Sequence, residues 1–505
     1  MTTHDKQPEL CFVVKTSMDE FHPKDRKLIR SHVMKGKNLG RMRALGSRKY
    51  LDSARVEEAA ALSSPGFDSS NHKGKNESGS FSHNTSRGLI QSEQHCDIQE
   101  ASAPIPPGIG SGASTMDLAD PVKPATIEVI LQFSYIAKQL LFPMEKCIFF
   151  DRRAENWIAP LATDSAYLHA NIFSASYYFD AVLSQRPSCQ SQRMIYHYGK
   201  TVTLLRKRLL VDGDDMQLSN NTLFVILCLA GHAFSAGDLE LAVHHLQGIR
   251  RIIDLRGGLS SLRGNQKLAN EILRCDLGVA IHSGSNPILF RGAASPHSYR
   301  MYPKLHVFLD KGDSNYSSKI SLFSTSSTAI PGLEIDQQLS AAWKTMSDFC
   351  AVINLASKTD QRIDMETFLH SMASIMYNLL DMSFESSSQN ETVRLGLLSF
   401  SCGVFLPWSH LGMSYRHLNS LLQTHFEGHA ERTMDLPAEL AVWLLMACAI
   451  TIVDECDIDW AYDLLRTAAS SYGITCWSQM RDMLMSVMWI GIVHERLGQR
   501  VFDRL

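Results

Sequence analysis

Cysteines are the first residues whose chemistry is worth testing, because thiolates bind zinc when their spacing closes a tetrahedral site. Eleven cysteines are scattered along the 505 residues of the chain. The closest pair, Cys448 and Cys456, is separated by eight positions, and no CxxC step occurs. An odd, scattered set of this kind indicates reduced thiols in an intracellular protein. It predicts neither a disulfide framework nor a zinc cluster.

Histidine pairs are the other residues whose spacing could bind a metal ion or transfer a proton. His244 and His245 are neighbours, and neighbouring positions on a helix point about 100° apart, so one ligand cannot easily reach both rings. His425 and His429 have the i, i+4 spacing of two ligands on one helix face, but Gly428 lies between them and no HExxH pattern surrounds them. We therefore interpret all four as structural histidines.

Catalytic motifs are missing from the sequence. It contains no GxSxG elbow, no Walker A loop and no GxGxxG after a strand. The glycines between 108 and 112 belong to a low-complexity stretch without a preceding strand, so they do not form a phosphate cradle. The sequence predicts no catalytic, cofactor-binding or metal-ligating residue and no cofactor, which disfavours an enzyme.

A run of basic residues is the strongest charge feature of the chain. Between positions 24 and 49, ten Lys or Arg stand against one acid, Asp25. Such a run can direct nuclear import, contact DNA phosphates or form a solvated tail. The net charge of −3 confines any affinity for nucleic acid to a local patch. Import is the preferred interpretation, and the residues assigned to import or phosphate contact are Lys24, Arg26, Lys27, Arg30, Lys35, Lys37, Arg41 and Arg43.

Composition divides the chain into three parts. Residues 1–62 form a basic N-terminal segment. Residues 63–125 are rich in Ser, Gly, Asn, His and Pro and bury too little apolar surface to offset the entropy of ordering, which predicts a disordered linker. Residues 126–505 carry the apolar periodicity of a helical domain.

Membrane and secretion signals are both lacking in the sequence. The most apolar run, Leu440 to Val453, is about fourteen residues long, whereas a bilayer span requires roughly twenty. It predicts a buried helix and no membrane association. The first ten residues, MTTHDKQPEL, have no apolar run behind basic residues, so no signal peptide is predicted.

The predicted fold is all-α, a large array of antiparallel helical hairpins behind the basic arm and the disordered linker. Apolar residues recur at spacings of three and four, and the links between successive periodic segments are short. An irregular excursion is predicted over 283–333, where Ser, Gly, Pro and Asn dominate. The predicted helices span 127–141, 195–210, 218–233, 239–256, 265–281, 335–356, 361–381, 390–404, 410–427, 437–454, 457–471 and 476–496.

The helix predicted at 239–256 has the most regular pattern. Asp238 is placed to cap its N-terminus, and Gly257-Gly258 can end it in the left-handed conformation. Three arginines near its C-terminus are interpreted as local stabilisers of the helix end, with a partner or effector contact as the alternative: Arg250, Arg251 and Arg256. Its apolar face comprises Leu239, Ala242, Leu246, Ile249 and Ile253.

The amino-acid sequence of this helix resembles that of a known family. The run HLQGIRRIIDLRGGL, after an apolar helix and a Gly-Asp turn, resembles the central signature of the fungal-specific transcription factor domain. This domain is the helical regulatory region of many fungal zinc-cluster regulators. The step Arg274-Cys275-Asp276 and the C-terminal run LMSVMWIGIVHERLGQRVFDRL are similar to the family as well. IRSHVMK near the N-terminus is similar to a subset of family proteins without the zinc cluster.

The resemblance implies a nuclear regulator of RNA polymerase II transcription. The family's usual CxxCx6C module is missing from this sequence, so DNA contact is expected to be indirect or weak. The implied partners are other transcription regulators, a second copy of the chain, or a small-molecule effector. Two alternatives remain from other classes of protein: a cytosolic helical scaffold, and an enzyme with a buried pocket inside the helical array.

Overall fold

A computed structural model describes residues 117–141, 143–149, 158–183, 191–210, 215–290, 300–305, 333–359, 361–408, 415–430, 433, 435–451 and 459–505. The basic segment 1–62 and the predicted linker as far as residue 116 lie outside these residues. What the sequence predicts for them stays a prediction.

Helices make up almost all of the described structure, which confirms the predicted all-α fold. The fifteen α-helices in the described ranges are α1 (Pro124–Leu141), α2 (Ala159–Thr163), α3 (Ser165–Tyr177), α4 (Gln192–Leu209), α5 (Asn220–Ser235), α6 (Leu239–Leu255), α7 (Gln266–Ser283), α8 (Gln337–Lys358), α9 (Met365–Asp381), α10 (Gln389–Phe405), α11 (Arg416–Gly428), α12 (Ala438–Thr451), α13 (Asp459–Ser471), α14 (Trp477–Val487) and α15 (Gly491–Phe502).

Successive helices pack against one another, and α12 lies at the centre of the C-terminal half. The pairs α3–α4, α5–α6 and α8–α9 are neighbours in the chain and in space, as short links require. Helix α12 is apolar on all sides and packs against α10, α13, α14 and α15. The apolar run that begins at Leu440 is therefore a buried helix, as predicted. In the part of the chain that the structure describes, no helix is long and apolar enough to cross a membrane.

The helix with the family signature, α6, has the predicted ends and the predicted face. Asp238 accepts a hydrogen bond from the backbone N–H of Leu241 at 3.0 Å, which caps the helix. Gly257 and Gly258 follow its end with φ angles of 88° and 99°, a backbone conformation that favours glycine. Four of the five predicted apolar residues are buried, and Leu239 is half-buried: Ala242, Leu246, Ile249 and Ile253 are the buried ones.

A buried carboxylate joins three of these helices. Asp164 caps α3 by accepting from the backbone N–H of Tyr167 at 3.0 Å. The same carboxylate accepts from Arg208 of α4 at 2.5 Å and from Asn221 of α5 at 3.1 Å. Because Asp164 is only 3% exposed, this network fixes how α3, α4 and α5 meet.

Two short strands are the only β-strands among the described residues. β1 (Ile148–Phe149) and β2 (Ile363–Asp364) pair in parallel, with Ile148 opposite Ile363. Both isoleucines are almost fully buried. Asp364 then caps α9 through the backbone N–H of Thr367 at 2.8 Å, so the helix predicted from 361 begins at Met365.

The single helix predicted over 476–496 is wrong, because extended residues 488–490 separate α14 from α15. Asn354 of α8 donates to the carbonyl of Trp489 at 2.6 Å and accepts from the N–H of Gly491 at 3.1 Å. The indole of Trp443 in α12 donates to the carbonyl of Met488 at 2.5 Å. These distant side chains bind backbone groups that a continuous helix would pair within itself.

Candidate functional site

The basic residues predicted for import or phosphate contact, Lys24 to Arg43, lie outside the described residues. The described part of the chain offers three other places where polar side chains gather. These are the buried charges of α7, a histidine cluster beside α3 and α4, and a surface cleft next to α9.

Helix α7 carries a buried carboxylate that organises the loop after it. Asp276 is 1% exposed. One of its oxygens accepts from the backbone N–H of Ile288 at 2.7 Å, and the other accepts from the N–H of Leu289 at 3.2 Å. That second oxygen also accepts from the hydroxyl of Tyr377 in α9 at 2.9 Å. Burial, with the charge of Asp276, raises the pKa of Tyr377 well above its ordinary value, so the hydroxyl keeps the proton it donates.

The arginine of the predicted Arg-x-Asp step is buried in the same region. Arg274 is 1% exposed, and its guanidinium lies 3.4 Å from the Glu271 carboxylate and 5.7 Å from the centre of the Trp408 ring. Arg250 of α6 donates to the carbonyl of Ile288, in the loop that Asp276 holds. The charges of the step thus bind protein atoms, and their role is to position helices and loops.

The arginines at the end of α6 were interpreted as local stabilisers, and two of them have such contacts. Arg250 lies 3.5 Å from Asp254, one turn away, in addition to its contact with the loop after α7. Arg256 donates to the side chain of Asn220 at 2.8 Å and to the carbonyl of Ser261 at 3.1 Å. These contacts join the C-terminal end of α6 to α5 and to the following turn.

A chain of three polar side chains lies between the segment before α1 and the hairpin α3–α4. Asp120 accepts from Nε2–H of His169 at 3.0 Å, because an ionised carboxylate can only accept. The two Nδ1 atoms of His169 and His197 are 2.7 Å apart. With both rings neutral, His169 Nδ1 is the acceptor and His197 Nδ1–H is the donor. Lys200 adds an ion pair to Asp120 at 3.5 Å.

This histidine cluster fixes the end of the predicted linker to the helical domain. Next to Asp120, the N–H of Ala119 donates to the carbonyl of Leu161 at 3.0 Å, and the hydroxyl of Ser165 donates to the carbonyl of Ala119 at 2.9 Å. Ala119 and Asp120, which the sequence analysis assigned to the linker, therefore contact α2, α3 and α4. Ordered contacts with the helices begin before position 126.

The pKa values in the cluster favour a neutral His197 ring and an ionised Asp120 carboxylate. The hydrogen bond from His169, supported by Lys200, lowers the pKa of Asp120. Burial, followed by the charges of His169 and Arg193, lowers the pKa of His197 to about 4, although Asp120 opposes this. Neither ring is accessible enough to reach a substrate, since His169 is 1% exposed and His197 is 6% exposed. The cluster attaches the chain segment at Asp120 to α3 and α4.

We expect the free energy of unfolding to fall as the pH drops from 6.5 to 4, with His197 as one cause. In this interval the unfolded imidazole binds a proton and the folded ring does not, so protons favour unfolding. His197→Gln removes this titration. It should reduce the slope of that free energy against pH by about 1 kcal/mol per unit between pH 6 and 5. Urea unfolding followed by circular dichroism measures both slopes.

The same two proteins supply an internal control for this prediction. Between pH 7.5 and 8.5 the free energy of unfolding should have the same slope against pH in the parent chain and in His197→Gln. In that range His197 does not titrate in the folded or the unfolded state. His494, whose pKa burial lowers to about 3, contributes to the acid slope of both proteins. Equal slopes between pH 6 and 5 as well would contradict the role assigned to His197.

The histidine pairs that the sequence analysis considered have structural contacts. His244 Nδ1–H donates to the carbonyl of Glu240 at 2.8 Å. His425 is buried and shares a hydrogen bond of 2.8 Å with the hydroxyl of Thr392, while its ring centre is 5.4 Å from that of His429. Among the residues that the structure describes, no three His, Cys, Asp or Glu side chains gather as a metal site.

A surface cleft of about 420 Å³ lies beside α8 and α9. Its volume is within the range of small-molecule sites, but the cleft is open and its lining combines polar and apolar surface. Arg300 forms an ion pair of 2.6 Å with Asp381 across it, and Asn378 donates to the Arg300 carbonyl at 3.0 Å. A ligand with a carboxylate would have to compete with Asp381 for Arg300. Its lining residues are Arg300, Tyr302, Gln337, Gln338, Ala341, Asn378, Asp381 and Met382.

These features define a large all-α domain that is stabilised by contacts between its own helices. They are the helical hairpins, the buried charges of α7 and the buried helix α12. Residues 133–277 match the family model of the fungal specific transcription factor domain. The resemblance predicted from the α6 signature is thereby confirmed over that segment, which ends one residue after Asp276. Comparison with curated proteins and with solved structures gives no match. The family is one of transcription regulators.

Proposed function

We propose that this protein is a nuclear regulator of RNA polymerase II transcription that acts through its helical domain, without a zinc cluster in this sequence. The family match over 133–277 carries the proposal. The basic run from Lys24 to Arg43 supports nuclear import, and the lack of any CxxC step supports a role without the family's usual DNA-reading module.

The proposed mechanism is recruitment to chromatin by a DNA-bound partner. That partner is another transcription regulator or a second copy of the chain, and the basic segment adds at most a weak, salt-sensitive contact with phosphates. A small-molecule effector is proposed to bind the cleft at Arg300 and Asp381, since this cleft has the volume for a small ligand and combines charged side chains with apolar surface.

Chromatin occupancy of the tagged full-length protein, combined with transcript profiling after gene deletion, tests the regulator. The expected result is occupancy at discrete sites and altered transcripts of nearby genes. Purified protein should bind naked DNA from those sites weakly and without sequence preference. Sequence-specific binding in vitro would overturn recruitment, and unchanged transcripts with a cytosolic protein would favour the helical scaffold.

Charge removal in the basic segment tests nuclear import separately. Replacing Lys24, Arg26, Lys27 and Arg30 with Gln should abolish nuclear accumulation of the fluorescently tagged full-length chain. A matched control replaces the four basic residues Arg48, Lys49, Lys73 and Lys75, which lie outside the assigned set, and should stay nuclear. If both variants behave alike, the assigned residues do not form an import signal.

A further inference from the structure

The surface cleft beside α8 and α9 is lined by two side chains of opposite charge. Of the described residues in its lining, only Arg300 and Asp381 are charged, so the lining is neutral overall. A ligand with a net charge would leave one charge in the cleft without a counter-charge, which a neutral ligand with one group of each sign avoids. The charges of the lining therefore favour a zwitterion.

The ion pair in the cleft is weak enough to exchange its partners. Nη1 of Arg300 donates to Oδ2 of Asp381 at 2.6 Å, and the two side chains are 28% and 67% exposed. Ion pairs exposed to this degree contribute little to stability, because water screens the two charges. Breaking the contact between Arg300 and Asp381 to admit a ligand therefore costs little.

The short distance between these two charges restricts the shape of a ligand that could replace their contact. Because the guanidinium and the carboxylate are within hydrogen-bond distance, the ligand must carry its own two charges side by side. An α-amino acid meets this condition, since its carboxylate and its ammonium group are attached to the same carbon atom. A dipeptide meets it less well, because a further residue separates its charged termini.

Ligands with a single charge would exchange with this ion pair poorly. A carboxylate that displaces Asp381 from Arg300 leaves Asp381 without a partner, and an amine that binds Asp381 leaves Arg300 without one. The carboxylate of an α-amino acid accepts hydrogen bonds from Arg300 while its ammonium group donates to Asp381, so that both protein charges keep a partner.

The remaining side chains of the lining are suited to the uncharged part of such a ligand. Asn378 donates to the carbonyl of Arg300 at 3.0 Å, which fixes the backbone of Arg300 against α9. Amide groups, which both donate and accept hydrogen bonds, are supplied by Gln337, Gln338 and Asn378. Apolar surface is supplied by Tyr302, Ala341 and Met382.

We propose that the cleft binds a free α-amino acid with an uncharged side chain. Its carboxylate binds Arg300 and its ammonium group binds Asp381, in place of the contact between these two residues. A charged side chain on the ligand would add a charge for which the lining has no counter-charge. This inference rests on the effector site of the proposed function, to which it assigns a chemical class of ligand.

Isothermal titration calorimetry with the purified full-length chain tests the proposal. The probes are leucine and phenylalanine, one with an aliphatic and one with an aromatic side chain. Analogues with the same side chain and one charge are isocaproate and isoamylamine for leucine, and hydrocinnamate and phenethylamine for phenylalanine. At least one amino acid should bind, and both of its analogues should bind more weakly by about tenfold or more.

Two variants connect this binding to the two charges. Asp381→Asn should weaken binding of the amino acid by about tenfold and strengthen binding of its carboxylate analogue, because Arg300 then has no competing partner. Arg300→Gln should also weaken binding of the amino acid, but it should strengthen binding of the amine analogue. Misfolding cannot cause these opposite preferences for the two analogues.

Asp463→Asn on α13 is the matched control. Asp463 forms an ion pair of 2.6 Å with Arg466 and is 72% exposed, close to the 67% of Asp381. This variant removes the same charge from the same kind of ion pair outside the cleft, and it should bind the amino acid as the parent chain does. Circular dichroism of all three variants should match the parent chain.

Three outcomes would overturn the amino-acid site. They are no binding of either amino acid at millimolar concentration, an analogue that binds the parent chain as tightly as its amino acid, and equal binding by Asp381→Asn and Asp463→Asn. None of them affects the transcriptional role, which chromatin occupancy and transcript profiling test separately. Binding that requires Asp381, in a protein whose deletion alters no transcript, would overturn the regulator and leave the amino-acid site in place.

Discussion

Asp276→Ala is expected to lower the free energy of unfolding by about 3–5 kcal/mol, since an unpaired buried donor costs about 1–3 kcal/mol. The substitution leaves the N–H groups of Ile288 and Leu289 and the hydroxyl of Tyr377 without their acceptor. All three donors lie in buried surroundings, where water cannot easily replace the lost carboxylate. The loop after α7 would lose its attachment, and the contact between α7 and α9 would weaken.

Urea unfolding of the full-length chain measures this effect, and two variants bracket it. Tyr377→Phe removes one of the three hydrogen bonds and should cost about 1–2 kcal/mol. Asp254→Ala removes a carboxylate that is 53% exposed in its ion pair with Arg250, and should change stability by less than about 1 kcal/mol. The role assigned to Asp276 would be refuted if Asp276→Ala were as stable as Asp254→Ala.

Gly278→Ala, two residues along α7, is expected to destabilise the protein by about 1–3 kcal/mol. A Cβ atom at Gly278 would lie 2.0 Å from Cζ3 of the Trp408 ring and 2.5 Å from its Cη2. The ring cannot easily move away, because it is 8% exposed and packs against Arg274 and Phe234. The clash outweighs the gain of about 1 kcal/mol that alanine brings to a helix interior.

Gly199→Ala is the matched control, since it makes the same substitution inside α4. A Cβ there meets nothing within 4 Å, so only the helix propensity changes and stability should rise by about 0.5–1 kcal/mol. Near-ultraviolet circular dichroism should show an altered aromatic signal for Gly278→Ala alone. Two changes of the same sign in urea unfolding would contradict the close approach of Trp408 to α7.

Local patterns in the sequence were sufficient to predict most of the helices, except α2 and α3, but not every place where the helices end. Asp238 and Gly257 lie within a few residues of the groups they serve, so the ends of α6 could be predicted. The interruption between α14 and α15 could not, because Asn354 stabilises it from more than one hundred positions away. The apolar periodicity within 476–496 is helical on both sides of the break. It cannot indicate that the side-chain amide of Asn354 binds the backbone between the two helices.

The partners of the buried polar side chains could not be predicted from the sequence either. The Arg274-Cys275-Asp276 step was noticed through a family resemblance, but its partners in the loop after α7 and on α9 depend on the folded chain. His169 and His197 were not singled out, since histidines separated by 28 positions carry no recognisable spacing.

The parallel pairing of Ile148 with Ile363 imposes an order on folding during synthesis. Hairpins such as α3–α4 and α5–α6 join neighbouring segments and can form as soon as both helices leave the ribosome. β1 must wait for a partner strand that is made more than two hundred residues later. At about 5–20 residues per second, this delay is roughly 10–40 s. Until α9 is made as well, the apolar surface of α7 that α9 later covers stays exposed, so a chaperone can bind the nascent chain there in this interval.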